Sequence, residues 1–274
     1  MSNLKFSVCM AVYYKDNPLY FKKALDSVVN QTLLPNQIVL VVDGPIGVKL
    51  NEVISNFKVE KIKFDVIRLK INCGHAIARQ VSIENAEYDL VAIMDSDDVA
   101  VYDRFEKQIK YIRDYEVDVV GGQIMEFIGD EKNIVGFRKV PLEDYNVKMY
   151  LRKRCPFNQM TVMFNKPKVL SVGGYQDWFC NEDYYLWIRM FLAGCKFANL
   201  SDVLVNVRVG KDMYRRRGGL KYFKSEAKLQ KYMLDNAVIG YGYYFYNVFV
   251  RFIVQVMMPN AIRGFIFQKL FRTK

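Results

Sequence analysis

Short, wholly apolar runs alternate along the first hundred residues with stretches whose apolar positions recur every three or four residues. Residues 6–12, 38–42, 64–69 and 90–94 are rich in Val, Ile, Leu and Phe and are bounded by polar residues, which reads as buried strands. Between them, residues 19–29, 48–57 and 76–86 show helical spacing, and 101–115 follow with the same period. A βαβαβαβ alternation predicts an α/β fold: an open, mostly parallel sheet covered by helices on both faces. Ligands of such sheets bind beyond the carboxyl ends of the strands. Those ends are polar here: Tyr13-Tyr14-Lys15-Asp16 after the first, Asp43-Gly44 after the second, Asp95-Ser96-Asp97-Asp98 after the fourth. No GxGxxG follows the first strand and no GxxxxGK[ST] occurs anywhere, which disfavours a dinucleotide-binding Rossmann domain and a P-loop NTPase. A nucleotide held here would need carboxylates and a metal in place of a glycine loop.

Charge adds a second division. The 274 residues carry 40 Lys+Arg and 29 Asp+Glu, a net of +11, on a composition that is 51% hydrophobic and 15% aromatic, which excludes a disordered chain. Residues 208–274 hold 14 of the basic side chains and only three acidic ones, Asp212, Glu226 and Asp235, so the whole excess lies there and residues 1–207 are neutral. A neutral body with a basic tail argues against a nucleic-acid-binding core and for an electrostatic appendage. The five cysteines, Cys9, Cys73, Cys155, Cys180 and Cys195, are scattered and form no CxxC pair, so neither a disulfide framework nor a zinc site is expected. The first residues lack the basic and apolar regions of a signal peptide, so a cytosolic body is expected.

Two constellations carry chemistry. The run Asp95-Ser96-Asp97-Asp98 delivers three carboxylates within four residues to a strand end. Like charges so close call for a cation, and hard oxygen ligands suit Mg²⁺ or Mn²⁺ completed by substrate phosphates. The same run also reads as a strand-end turn with an acidic cap for the next helix. The second constellation, Asn181-Glu182-Asp183 with Trp187, opens a helix ending near Gly194 and sets Asp183 and Trp187 on one face. A carboxylate beside an exposed indole would serve sugar handling, as a base for a hydroxyl proton and a plate for a pyranose face. Alternatively Asn181 caps the helix, the two acids partner its dipole, and Trp187 belongs to the core.

In their order these pieces resemble the inverting family 2 glycosyltransferases of GT-A fold, over roughly residues 6–210. Phe6-Ser7-Val8-Cys9-Met10-Ala11-Val12-Tyr13 is similar to the family's opening strand, Ser27-Val28-Val29-Asn30-Gln31-Thr32 to its S-hh-x-QT helix end, and Asp43 to its base-binding aspartate. Asn72-Cys73-Gly74 with Ala78-Arg79 resembles the N-x-G…A-R segment, Asp95-Ser96-Asp97 the DXD motif, and Gly173-Gly174-Tyr175 with Glu182-Asp183 and Leu186-Trp187-Ile188-Arg189 completes the order. The subtype is similar to the amylovoran-biosynthesis branch of bacterial polysaccharide glycosyltransferases, through Val42-Asp43-Gly44-Pro45, 160–164 and 216–219. Two positions depart from the pattern: Gly44 replaces a common second aspartate, and Gln159 stands where relatives often have histidine.

The resemblance and the charge division together give a catalytic domain over 1–207, with a nucleotide-sugar half (1–100) and an acceptor half (101–207), and the charge of the tail gives a basic helical extension over 208–274. The resemblance implies that Tyr13 and Asp43 bound the nucleobase, that Ala11 belongs to the donor-binding residues, and that Arg79 lies near base or diphosphate. Asp95 and Ser96 would meet the donor, Asp95 through ribose or an outer-shell water. Asp97 would hold the Mg²⁺ or Mn²⁺, and Asp98 would support the loop. Asp183 would be the general base, Glu182 its neighbour positioning acceptor or base, and Trp187 and Gln159 acceptor contacts. On the residues alone, Tyr13 is a strand-end aromatic, Arg79 a helix residue pairing with Glu84 or Asp43, and His75 a cap for the helix that follows it. The implied reaction is a single in-line transfer of a sugar from a nucleoside diphosphate sugar, UDP above all, to a glycan or lipid-linked glycan, with inversion. Nucleotidyl transfer on a similar sheet, and a non-catalytic membrane- or polyanion-binding relative, are the competing expectations.

The tail refines the location. Residues 237–258 contain one charge, Arg251, and as a helix would run about 33 Å, just enough to span a bilayer. Asn247, Arg251 and Gln255 recur every fourth position, however, and such a polar stripe favours lying in the interface. Ile262, Phe265, Ile266 and Leu270 likewise oppose Arg263, Lys269 and Arg272, and Arg215-Arg216-Arg217-Gly218-Gly219 reads as a flap over the donor diphosphate or as a lipid-facing loop. The expectation is a peripheral protein on the cytoplasmic face of the inner membrane, held by an anionic surface through 208–274; helices packed on the body with merely solvated charges are the alternative.

Overall fold

The structure, a computed structural model, describes residues 4–210 and 218–258. Its first half is the parallel sheet the pattern predicts: β1 (Phe6–Val12), β2 (Gln37–Val42), β3 (Lys63–Arg68) and β4 (Leu90–Met94), ordered β3-β2-β1-β4. Helices α1 (Pro18–Val29), α2 (Val48–Asn56) and α3 (His75–Glu84) make the crossovers. Asn17 starts α1 by accepting hydrogen bonds from the N–H groups of Leu19 and Tyr20, with Pro18 supplying a helical φ at the first position.

The chain winds from β1 outward to β2 and β3, then returns to the other side of β1 for β4, and this reversal opens a crevice at the strand ends. Register decides what lines it. Val12 pairs with Val42 and Met10 with Met94, so Tyr13 and Asp43 leave the sheet side by side, while Asp95 leaves two residues earlier, level with Ala11.

Beyond β4 the sheet becomes mixed. It continues through β5 (Val99–Ala100), helix α4 (Arg104–Tyr115), β6 (Val119–Phe127), β7 (Ile134–Arg138), α5 (Asp144–Leu151), β8 (Met163–Asn165), α6 (Lys166–Ser171), α7 (Glu182–Leu192) and β9 (Phe197–Arg208). β8 lies antiparallel between β4 and β6, β9 runs parallel to β6, and β5 closes the far edge.

Alternate residues of the central strands feed two cores. Val8, Leu40 and Ala92 pack with Phe21, Leu25, Leu50 and Phe105 on one face. Cys9, Val39 and Val91 pack with Ile83, Leu151, Leu186 and Trp187 on the other.

The C-terminal part differs from its expectation. Residues 237–258 do not form one helix: α8 (Leu220–Asp235) is followed by a turn, then α9 (Tyr241–Phe252) and a π turn at Ile253–Met257. The break comes because Val238 and Ile239 are pulled into the second core and Ala237 takes a positive φ of 56°. No helix of the described residues is long and apolar enough to cross a membrane. The stripe of Asn247, Arg251 and Gln255 faces the body: Asn247 Nδ2 donates to Gln230 Oε1 (2.8 Å) and to the Arg152 carbonyl (3.0 Å), and Arg251 pairs with Glu226. Leu229 and Met233 are fully buried in the second core with Trp187, and position 207 lies inside β9, so the division at 207 separates charge and not packing. The arginine flap over 215–217 and the apolar-basic pattern over 262–272 lie outside the described residues.

Candidate active site

The acidic strand end is built on a buried cation. Arg104 is fully buried at the start of α4; its guanidinium donates to the Ile93 carbonyl (2.8 Å) and to Gln108 Oε1 (3.0 Å). Burial pulls its pKa down to about 9, while the charges of Asp95 and Asp98 work against that fall. The four residues above it have separate tasks. Ser96 Oγ donates to Asp16 Oδ2 (2.9 Å), which also accepts from the Tyr13 N–H (3.0 Å), tying the ends of β1 and β4 together. Asp98 is buried and accepts the Arg208 N–H (2.8 Å), with burial driving its carboxyl well up. Asp97 opens to solvent at the crevice; the protein packed around it, then the charges of Asp95 and Asp16, push its carboxyl up to about 6.

Arg79 joins this strand end to α7. Its Nη2 donates to Asp95 Oδ1 (3.0 Å) and its Nη1 to Glu182 Oε1 (2.9 Å). It pairs with neither Glu84, which takes the Gln80 amide, nor Asp43. Burial opposes its charge, but Asp95 and Glu182 outweigh that and hold the guanidinium protonated. Asp183 follows Glu182 at the mouth of α7. It accepts the Tyr184 N–H (2.7 Å) and the Cys155 thiol (3.8 Å), and burial, followed by the Glu182 charge, raises its carboxyl to about 6.

Asp43 is buried at the end of β2 and accepts the Asn72 amide (2.9 Å) and the N–H groups of Cys73 (2.6 Å) and Gly74 (2.9 Å), receiving the entry to α3. Gly44 follows at φ 84°, and a Cβ there would sit 2.6 Å from the Asn72 N, so an aspartate does not fit this backbone. Tyr13 is half-buried, its ring 6.4 Å from that of His75. His75 is the first residue of α3 and makes no capping bond, contrary to expectation; its ring lies among Asp16, Asp43, Asp95 and Arg79, and the Arg79 charge, then the protein packed around the ring, lower its pKa.

Two acceptor expectations change. Trp187 is fully buried, edge-on to Phe157 (5.1 Å between ring centres) and near Phe164, so it is a core residue and no sugar plate. Five of the six residues from Tyr184 to Arg189 are buried, leaving only the first turn of α7 at the crevice. Gln159 is buried too; its Nε2 donates to the Tyr175 hydroxyl (2.6 Å). Asp16, Arg104, Cys155 and Arg208 are site residues that sequence reasoning did not single out. Only Asp16 carried a signal, its place in the polar run after the first strand.

Among the described residues no three acidic, histidine or cysteine side chains are arranged to hold a metal ion. Asp95, Ser96 and Asp98 are committed to protein partners, which leaves Asp97 as one free hard ligand. That donor set fits a cation whose remaining ligands are substrate phosphates and water.

This strand-end crevice, with acids from β4 and from the mouth of α7, occurs in a chain whose residues 7–179 match the family model described as Glycosyl transferase family 2. The chain belongs to that family. As a family 2 member it is a glycosyltransferase, and the matched region ends just before Glu182 and Asp183. An uncharacterized glycosyltransferase of Haemophilus influenzae is 41% identical over 83% of this chain and 85% of its own. The amylovoran biosynthesis glycosyltransferase AmsE of Erwinia amylovora is 36% identical over 96% of this chain and 98% of its own. The UDP-Gal:alpha-D-GlcNAc-diphosphoundecaprenol beta-1,3-galactosyltransferase of Escherichia coli is 34% identical over 98% of this chain and 97% of its own. Among solved structures, TarS 1–349 of S. aureus in complex with UDP-GlcNAc superposes with a TM-score of 0.68 at 17% identity, over 96% of this chain and 75% of that one. The family 2 chain therefore shares the mixed α/β GT-A fold of TarS; it spans 44% of the longer TarS chain also solved.

Proposed function

We propose that this family 2 enzyme transfers a sugar from a UDP-sugar to a hydroxyl of a lipid-linked glycan in the synthesis of a bacterial surface polysaccharide, with inversion at the anomeric carbon. The observation that carries the reading is the Asp95–Arg79–Glu182 bridge, which seats Asp183 beside the donor crevice. Asp183 accepts the proton of the acceptor hydroxyl as its oxygen attacks the anomeric carbon and the nucleoside diphosphate departs from the opposite side. A carboxyl raised to about 6 is ionised at neutral pH and basic enough to take that proton in the transition state. Tyr13, Asp43 and Ala11 line the nucleobase end, while Asp95 and Ser96 hold the sugar-nucleotide end and Arg79 offsets its charge. Mg²⁺ or Mn²⁺, held by Asp97, would supply neutralisation of the leaving diphosphate.

The donor is supported by the TarS complexes with UDP and UDP-GlcNAc and by the name of the E. coli relative, and the acceptor class by that relative's diphosphoundecaprenol substrate. Such an acceptor brings the enzyme to a membrane, on the cytoplasmic face where nucleotide sugars are made. A thermal-shift screen of sugar nucleotides with Mn²⁺ tests the reading. A UDP-sugar is expected to raise the melting temperature, and Asp97→Asn to remove the Mn²⁺-dependent part of the shift. No shift with any sugar nucleotide, or pyrophosphate as the product, would overturn it.

A further inference from the structure

Helix α9 is inside out for a helix in water. Its polar residues face the protein, while Tyr241, Phe245, Tyr246, Phe249 and the nearby Met257 are each 64–72% exposed. An ordinary surface helix buries its apolar stripe and wets the polar one. The polar stripe is also firmly seated: Asn247 bonds Gln230 and the Arg152 carbonyl, and Arg251 bonds Glu226 and the Lys153 carbonyl (2.7 Å). The helix therefore cannot roll its aromatic face inward without unpairing a buried ion pair.

Charge identifies what covers that face. Residues 218–258 hold five Lys+Arg against two acids, Glu226 and Asp235. Both acids are taken, by Arg251 and Lys231, so among the described residues Lys221, Lys224 and Lys228 of α8 are left without an acidic partner. A second copy of the chain would bring the same excess against itself. Tyrosine and phenylalanine beside lysines suit instead the headgroup level of an anionic bilayer.

The face is also coupled to the acceptor acids. On α8, Ser225 accepts from Asn181 Nδ2 (3.2 Å), and its carbonyl accepts from the Trp178 indole (3.2 Å); Asn181 is the residue before Glu182. From the other side, α9 holds the carbonyls of Arg152 and Lys153, two residues before the Cys155 thiol that faces Asp183. The two C-terminal helices thus fasten both segments that flank Asp183.

We propose that the outward aromatic face of α9, with Lys221, Lys224 and Lys228 of the neighbouring α8, docks on an anionic phospholipid bilayer and so sets the acids of α7 at the membrane, where a lipid-borne acceptor arrives. This rests on, and deepens, the membrane-borne acceptor proposed above. The full chain would be floated with vesicles of phosphatidylglycerol and phosphatidylethanolamine, or of phosphatidylcholine alone, with neither donor nor acceptor present. Binding to the anionic vesicles is expected, falling about tenfold or more on phosphatidylcholine and again at about 0.5 M NaCl. Phe245→Ser with Phe249→Ser should weaken flotation about tenfold or more, with UDP binding and the melting temperature unchanged because both rings are exposed. Lys224→Glu should weaken binding to anionic vesicles and leave the melting temperature alone. Wild-type protein that ignores vesicles, or a double variant that floats like wild type, would overturn the proposal. So would a wild-type dimer that the double variant makes monomeric, because it would assign the face to a second copy. Flotation without sugar transfer to any acceptor would instead strike the reading above and leave the docking face standing.

Discussion

Asp183 shows how one position sets both activity and its cost. A carboxyl raised from its ordinary 3.8 to about 6 must be ionised to act as base, so kcat/KM is expected to fall about tenfold per pH unit below about pH 6. The stability consequence has the opposite sense. A folded pKa above the unfolded one favours the protonated fold, so stability is lost as pH rises from about 4 through about 6. At neutral pH, Asp183→Asn should therefore abolish transfer, by about a thousandfold or more, yet raise stability by about 1–3 kcal/mol. Initial rates across pH and thermal melts of the two proteins check both halves, and an inactive variant that melts lower than wild type would refute the second. The acids were legible in the sequence because polar residues directly after buried strands, or at a helix start, have nowhere to go but the crevice. Trp187 was left between a sugar plate and a core residue, because sharing a helix face with Asp183 says nothing about how soon the helix dives into the core. His75 was misread for a related reason: its position at the start of α3 fits a cap, but Asp43 already receives the entry to that helix.

Between elements, Arg79 is the tie. It reaches from α3 to the end of β4 and to the mouth of α7, and its planar fork engages Asp95 and Glu182 at once. Arg79→Lys keeps the charge but offers one ammonium in place of two directed donors. It should lower kcat about a hundredfold or more and cost about 3 kcal/mol, the scale of a broken buried pair. Steady-state kinetics and chemical denaturation read these separately; a variant with wild-type kcat would show that the bridge does not position Asp183. The strands and their helices were legible because periodicity is local. The Glu182 partner of Arg79 was not, since it lies 103 residues away; Asp95, 16 residues on, was within reach of the sequence, but nothing in the local pattern shows that the end of β4 meets α3.

Across the whole molecule, the C-terminal helices belong to the body. Leu229, Met233, Val238 and Ile239 are buried in the second core, and at about 1.5–3 kcal/mol for each side chain their loss removes about 6–12 kcal/mol. That equals the net stability of a typical domain, about 5–15 kcal/mol. A chain ending after Gly210 is therefore expected to lack a cooperative melt by circular dichroism, whereas a separable tail would leave a sharp one. Composition drew the line at 207 because charge changes there, but packing does not follow charge.

The sequence by itself determined the alternation of strands and helices, the crevice at the strand ends and the acids that line it. Each follows from hydrophobic period and from polarity at an element's end, which act over a few residues. The tertiary structure decided which acids are bonded away and which stay free, that Trp187 is core, and that the polar stripe of α9 turns inward. An amphipathic pattern states that two faces differ; only packing against the rest of the chain decides which one meets protein and which is left outside.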